Sequence, residues 1–179
     1  MTTRRDALKL GAGAFALGVG GFALETTPAN AQTPKKGGVL NYAISAETPH
    51  YDGHGSDTFA TIHFCSPFYS TLLKFDLDHY PNVKPDLAQS YTVSPDKLTY
   101  TFKLHPNVKF HDGSTCTAAD VKATYERLRN PPQGVVSTRK ATFSDIASIE
   151  TPDPLTIVFK LAQVNAAMLQ HFGSPWNYI

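Results

Sequence analysis

The sequence predicts an exported α/β domain, and three observations carry that reading. Leu98, Tyr100, Phe102 and Leu104 alternate with Thr99, Thr101 and Lys103, the period-two pattern of a strand with one buried face. Thr117-Ala118-Ala119-Asp120 has the S/T-x-x-D/E opening of a helix, and Val121, Tyr125 and Leu128 then fall on one helical face. The first 31 residues run from a basic start through a charge-free stretch to the small-residue triplet Ala29-Asn30-Ala31, the order of an export signal.

The charge-free stretch, Leu10 to Leu24, carries five glycines in its 15 residues. That is short of the roughly 20 apolar residues a spanning helix needs. Cleavage after Ala31 is therefore expected, and the mature chain begins at Gln32. Thr3-Arg4-Arg5-Asp6-Ala7-Leu8-Lys9 resembles the twin-arginine motif, with Ala7 where that motif prefers Phe. An ordinary secretion signal that carries two arginines is the alternative. No cysteine stands between the cleavage site and Cys65, so no lipid anchor is expected and the protein is placed free in the periplasm.

The chain has 16 Lys+Arg and 15 Asp+Glu; the signal takes three of the former and two of the latter, leaving 13 of each over the remaining 148 residues. A nucleic-acid binder needs a basic surplus on one face, so that class is excluded. A hydrophobic content of 41% with 11% aromatics excludes intrinsic disorder. Two cysteines, Cys65 and Cys116, are compatible with one disulfide in an oxidising compartment or with two separate buried thiols.

In chain order, Val39 to Ile44 reads as a short strand and Ser45 to Ser56 as loop, rich in breakers. Thr58 to Ser70 reads as a helix from the spacing of Phe59, Ile62, Phe68 and Tyr69, although Pro67 interrupts it. Leu87 to Val93 partners Leu98 to Leu104 as a hairpin through the turn Ser94-Pro95-Asp96-Lys97, and Val108-Lys109-Phe110 extends the sheet. The helix from Thr117 carries a Lys122–Glu126 pair one turn apart and ends at Asn130-Pro131-Pro132-Gln133-Gly134. A second hairpin joins Ile146–Thr151 to Leu155–Leu161 through Pro152-Asp153-Pro154, and Ala166 to Phe172 is a short helix. No internal repeat is read along the chain.

Few constellations point to chemistry. His111-Asp112-Gly113, with Ser114 next, has the residue types of an acid–base or nucleophile set. Four neighbours in a turn do not converge on one reacting atom, however, and Asp-Gly after a strand is ordinary turn chemistry. His50, Asp52 and His54 are metal-ligand types in a loop broken by Gly53, where solvated side chains are the simpler reading. No Gly-rich phosphate loop, H-E-x-x-H or C-x-x-C pair is present. Trp176, the single tryptophan, reads as core packing or as the wall of a cleft.

A longer run of residues carries a resemblance. Lys84-Pro85-Asp86-Leu87-Ala88-Gln89-Ser90-Tyr91 is followed by Leu98-Thr99-Tyr100-Thr101-Phe102-Lys103-Leu104, then Val108-Lys109-Phe110-His111-Asp112-Gly113 and Thr117-Ala118-Ala119-Asp120-Val121. In this order they resemble the family 5 solute-binding proteins of ABC importers, the peptide and nickel type. Weaker agreement extends over Gly37 to Asp76 and Ile149 to Leu161. Cys116 departs from the large apolar residue usual in that family.

The resemblance implies a periplasmic-binding-protein type II-like fold, in which two lobes close on a ligand. The chain is expected to be a fragment of such a protein: the signal at 1–31, the start of lobe one and a connecting helix at 32–84, a β-rich α+β subdomain at 85–172, and a return toward the hinge at 173–179. The implied function is solute reception, for oligopeptides or dipeptides, with delivery to ABC permease subunits. A monomer is expected, with no cofactor, catalytic residue or metal. The competing classes are an exported hydrolase using His111 or Asp112 and a β-rich interaction module. Ligand contacts are expected in the loop after the first strand, where such sheets gather ligands: Glu47, Thr48, His50 and Tyr51, with Trp176 and Tyr178 as aromatic walls. Without a second lobe these residues are expected not to bind solute alone, and the chain is expected to finish in a dangling Trp176 end.

Overall fold

The structure, a computed structural model, describes residues 36–179. The chain divides after Asn41 into two units, and residues 36–41, the described part of the first, carry no regular secondary structure. Val39 to Ile44, read as a strand whose ladder partners come from later sequence and which is expected to fray or stay exposed, forms no strand, and Val39 and Leu40 are 88% and 85% exposed. A strand-like sequence becomes a strand only through ladder partners for its N–H and C=O groups, and this segment has none among the described strands. The export signal and its cleavage site lie outside the described residues. No described helix is long and apolar enough to cross a membrane.

The second unit begins with a single 3-10 turn at Gly53–Gly55 and the helix α1 (Phe59–Cys65). The longer helix read to Ser70 stops here: Ser66 N–H closes on Ile62 O, and Pro67 has no N–H to continue the ladder. Two three-residue strands follow, β1 (Leu73–Phe75) and β2 (Val83–Pro85), paired antiparallel. Neither is legible in the sequence, because three residues are too few to display a period of two.

The main sheet has four antiparallel strands: β3 (Ala88–Val93), β4 (Thr99–Leu104), β5 (Ile146–Asp153) and β6 (Thr156–Leu161). Their order is β3-β4-β6-β5, so both hairpins form as the sequence predicts, and their second strands meet at the centre. Val108 to Phe110 does not extend the sheet; it contributes only the isolated bridge Lys109–Thr115. Helix α2 (Ala118–Arg129) starts at Thr117, whose N–H donates to Asp120 Oδ2 at 2.8 Å, the capping box read from the sequence. The expected Lys122–Glu126 pair is replaced: Arg129 takes Glu126 through two nitrogens, at 2.8 and 3.1 Å, a fork a lysine cannot offer. Helix α3 (Met168–Gly173) closes the element list.

The central pairing exposes a repeat that the sequence reading missed. Ser94-Pro95-Asp96-Lys97-Leu98-Thr99-Tyr100-Thr101-Phe102-Lys103-Leu104 aligns without a gap on Thr151-Pro152-Asp153-Pro154-Leu155-Thr156-Ile157-Val158-Phe159-Lys160-Leu161, with seven of the eleven positions identical. In space the copies are related by a local twofold: Leu104 N–H donates to Leu155 O and Leu161 N–H to Leu98 O, both at 2.8 Å. Each turn is closed alike, by Asp96 Oδ1 on Leu98 N at 3.0 Å and Asp153 Oδ1 on Leu155 N at 2.9 Å. The turn-plus-strand unit is therefore used twice to build one sheet.

One sheet face is apolar and the other polar, as alternation dictates. Tyr100, Phe102 and Leu104 of β4 and Ile157, Phe159 and Leu161 of β6 are buried, while Lys103 and Lys160 point to solvent. Helix α2 lays Val121, Tyr125 and Leu128 on the apolar face, and α3 adds Met168 and Phe172. Phe172 is the hub of the aromatic core, with ring centroids 4.7 Å from Phe159, 4.9 Å from Phe102 and 5.6 Å from Tyr125. Full burial of each such side chain contributes about 1.5–3 kcal/mol.

Candidate functional site

Three segments distant in sequence meet beside α1: the loop 45–58, the end of α2 with the loop that follows it, and the last residues 174–179. Breaker-rich sequence sets the first. Asp52 caps the 3-10 turn by accepting from His54 N at 3.2 Å. Hydroxyls then tie the loop to the helix, Thr61 Oγ1 lying 2.8 Å from Thr48 Oγ1, 3.0 Å from Ser56 Oγ and 3.1 Å from Thr58 Oγ1. From the second segment, Thr138 N donates to His54 O at 3.1 Å.

His54 is the crossing point. Its Nε2–H donates to Tyr178 O at 2.9 Å, which leaves Nδ1 to accept from Arg127 Nη1 at 3.1 Å. That pattern requires the neutral Nε2–H tautomer. Burial lowers the His54 pKa and the nearby Arg127 charge lowers it further, against the pull of the Tyr178 carbonyl and Asp52. Arg127 also holds Asp52 Oδ2 at 2.6 Å. Partial burial alone would raise the Asp52 pKa, but its hydrogen bond and charge contact with Arg127 bring it below the ordinary carboxylate value.

Tyr178 is buried, stacked on Tyr69 with centroids 4.6 Å apart and 5.0 Å from His54. Gly53 is required beneath it: a Cβ there would lie 1.3 Å from the Tyr178 hydroxyl oxygen. Burial, then the neighbouring Cys65 thiol, pushes the Tyr178 phenol pKa strongly upward. The chain end does not dangle. Ile179 N donates to Ser70 O at 2.8 Å and Asn177 Nδ2 to His171 O at 2.7 Å. Trp176 is half-buried, 6.1 Å from the exposed Phe59, with the Arg139 guanidinium carbon 4.7 Å above its ring.

The six residues expected to touch ligand thus fall into two groups. Glu47, His50 and Tyr51 are exposed, Tyr51 at 68% with its ring tilted against Phe64, centroids 5.0 Å apart. Thr48 and Tyr178 face inward, and Trp176 lies between. Thr48, Tyr51, Trp176 and Tyr178 all pack on or beside α1 or residues bonded to it, whereas Glu47 makes no side-chain hydrogen bond among the described residues. Arg139 and Phe59 are additions that sequence reasoning missed. Arg139 stands in the polar run Ser137-Thr138-Arg139-Lys140, with nothing local to tie it to a tryptophan 37 positions later.

The remaining constellations are structural. Asp112 Oδ1 accepts from Ser114 N at 2.8 Å and from Ser114 Oγ at 2.7 Å, and Gly113 takes φ +86°, the left-handed turn position. The ring nitrogens of His54 and the carboxylate of Asp52 are already engaged, which removes them as a metal set with His50. Among the described residues no His, Cys, Asp and Glu cluster suits a metal ion. Cys65 and Cys116 are both free and buried, so the thiol reading stands and the disulfide does not form.

Comparison with known proteins places these features in context. Residues 82–179 match the family model described as bacterial extracellular solute-binding proteins, family 5, middle. The chain is 43% identical over 102 residues to a putative ABC transporter peptide-binding protein of Brucella ovis, covering 57% of this chain and 19% of the relative. Among solved structures, the PBP AgaA of A. tumefaciens R10 in complex with agropinic acid is 36% identical with a TM-score of 0.60, over 66% of this chain and 23% of that one. DppA of Helicobacter pylori, in complex with the peptide STSA, gives a TM-score of 0.66 at 26% identity, over 75% of this chain and 29% of that one. The chain spans about a fifth of the length of the curated relative.

Proposed function

Because the chain belongs to family 5 of the bacterial extracellular solute-binding proteins, we propose that it serves an extracytoplasmic receptor that binds oligopeptides or dipeptides and passes them to an ABC permease at the inner membrane. The observation that carries this reading is the 43% identity over 102 residues to a relative named as peptide-binding. The ligands named for the solved neighbours, a peptide and agropinic acid, share a carboxylate, which fits a receptor for small acidic or zwitterionic solutes. Closure of two lobes about a hinge traps such a ligand, and this chain supplies part of one wall. A monomer with a signal at 1–31, free in the periplasm and without a catalytic group, belongs to the same proposal, as does the division at 84/85 and 172/173.

Within that wall, Glu47, Thr48, His50, Tyr51, Trp176 and Tyr178 are the proposed contacts. Tyr51 and Trp176 offer open ring surface, and Thr48 and Tyr178 hold the loop and the chain end that present it. Deleting the gene and following uptake of labelled di- and tripeptides tests the function: uptake falls and returns with a plasmid copy. Unchanged uptake of every peptide would contradict it. Trp176→Ala at the chromosomal copy raises the peptide concentration for half-maximal uptake by roughly tenfold, as loss of an aromatic anchor does.

A further inference from the structure

Arg127, Arg129 and Arg139 are the arginines of the described residues. Arg127 holds Asp52 at 2.6 Å and Arg129 holds Glu126 at 2.8 Å. Arg139 holds no carboxylate within ion-pair distance among the described residues, although it is half-buried and its Nε is shut off from solvent without a partner. A guanidinium is the side chain best matched to a planar anion, and leaving its donors unmade in a partly dry place costs free energy. Its position is nevertheless fixed from both sides. The guanidinium lies on the Trp176 ring at 4.7 Å, and the Arg139 backbone N donates to Ser137 Oγ at 3.3 Å while its O accepts from Phe143 N at 3.3 Å. A cation–π contact of this kind holds the guanidinium in place without pairing its charge to a carboxylate.

We propose that Arg139, set over the Trp176 ring, is the anchor for the carboxylate of the bound solute, with the exposed ring of Phe59 flooring the apolar part beside it. This assignment rests on the peptide-receptor reading and deepens it. The surroundings fit an anion held at moderate strength. Burial lowers the Arg139 pKa while the charge of Asp57 raises it, so a fixed cation persists with one acid near it but not paired to it.

Competition for uptake of a labelled dipeptide tests it, with unlabelled Ala-Ala and its C-terminal amide as competitors. The strains carry the unaltered gene, a deletion, Arg139→Gln or Arg139→Lys, with receptor amounts checked by immunoblot of the periplasmic fraction. Arg139→Gln weakens competition by the free acid about tenfold and leaves the amide unchanged. Arg139→Lys keeps part of the preference for the acid, since the charge remains and the fork is lost. If deletion abolishes uptake while Arg139→Gln shifts acid and amide equally, or neither, the assignment is overturned and the receptor function stands. If Arg139→Gln receptor is missing from the periplasm, Arg139→Lys decides: an unchanged acid-to-amide ratio overturns the assignment. Uptake intact in the deletion strain overturns the peptide-receptor reading and this assignment together.

Discussion

His54 carries more of the local architecture than any neighbouring side chain, because one imidazole joins the loop, α2 and the chain end through a donor on one nitrogen and an acceptor on the other. Its protonation state is therefore a stability term. The folded state keeps His54 neutral, its pKa lowered by burial, whereas the unfolded chain takes up a proton near the ordinary value of about 6.5. Unfolding then binds protons, so the stabilisation is complete above that value and is lost progressively as pH falls below it. His171, lowered mainly by burial, adds a contribution of the same sign. Urea denaturation at a series of pH values should give a flat plateau at pH 7–8 and a decline toward pH 5. His54→Gln, which keeps a donor and an acceptor but does not titrate, should shallow that decline; identical slopes in the two proteins would contradict the tautomer assignment.

At the scale of elements, legibility followed length and locality. The hairpins β3-β4 and β5-β6 and the start of α2 were readable because six to eight alternating residues, Asp-containing turns and a capping box are local signals. The strands β1 and β2 were too short to read, and Val39 to Ile44 had strand-like residues without acquiring a ladder. The twofold repeat was missed because its copies are short and lie 57 positions apart, although their shared residues stand in the sequence. Of the site, the loop and Trp176 were legible as residue types. The Arg139 stack and the His54 crossing were not, since both arise from tertiary contacts across 37 and 124 positions. Helix α3 shows how fold and site are coupled: its six residues are held to the sheet by Met168 and Phe172 and lead directly into the segment that carries Trp176. Phe172→Ala should cost about 3–5 kcal/mol in urea denaturation. It should also red-shift the emission of the single tryptophan as the chain end loosens. Full destabilisation with unchanged emission would show that residues 174–179 are held independently of α3.

For the whole molecule, a sheet with one face dried by two helices forms a stable platform, and the loop, α1 and the chain end gather beside it as its adaptable margin. Local opening is cheapest where backbone bonds are few and exposed, and the margin fits that description better than the paired strands do. The proposed receptor function implies change at this margin on solute binding, with the sheet left as it is. Hydrogen exchange on the protein purified from its native cells, with and without a saturating mixture of di- and tripeptides, measures that directly. The account predicts peptide-dependent protection concentrated in residues 45–59 and 174–179, with Thr99–Leu104 and Thr156–Leu161 strongly protected in both states. Protection that does not change with any peptide, or that changes only in the sheet, would contradict it.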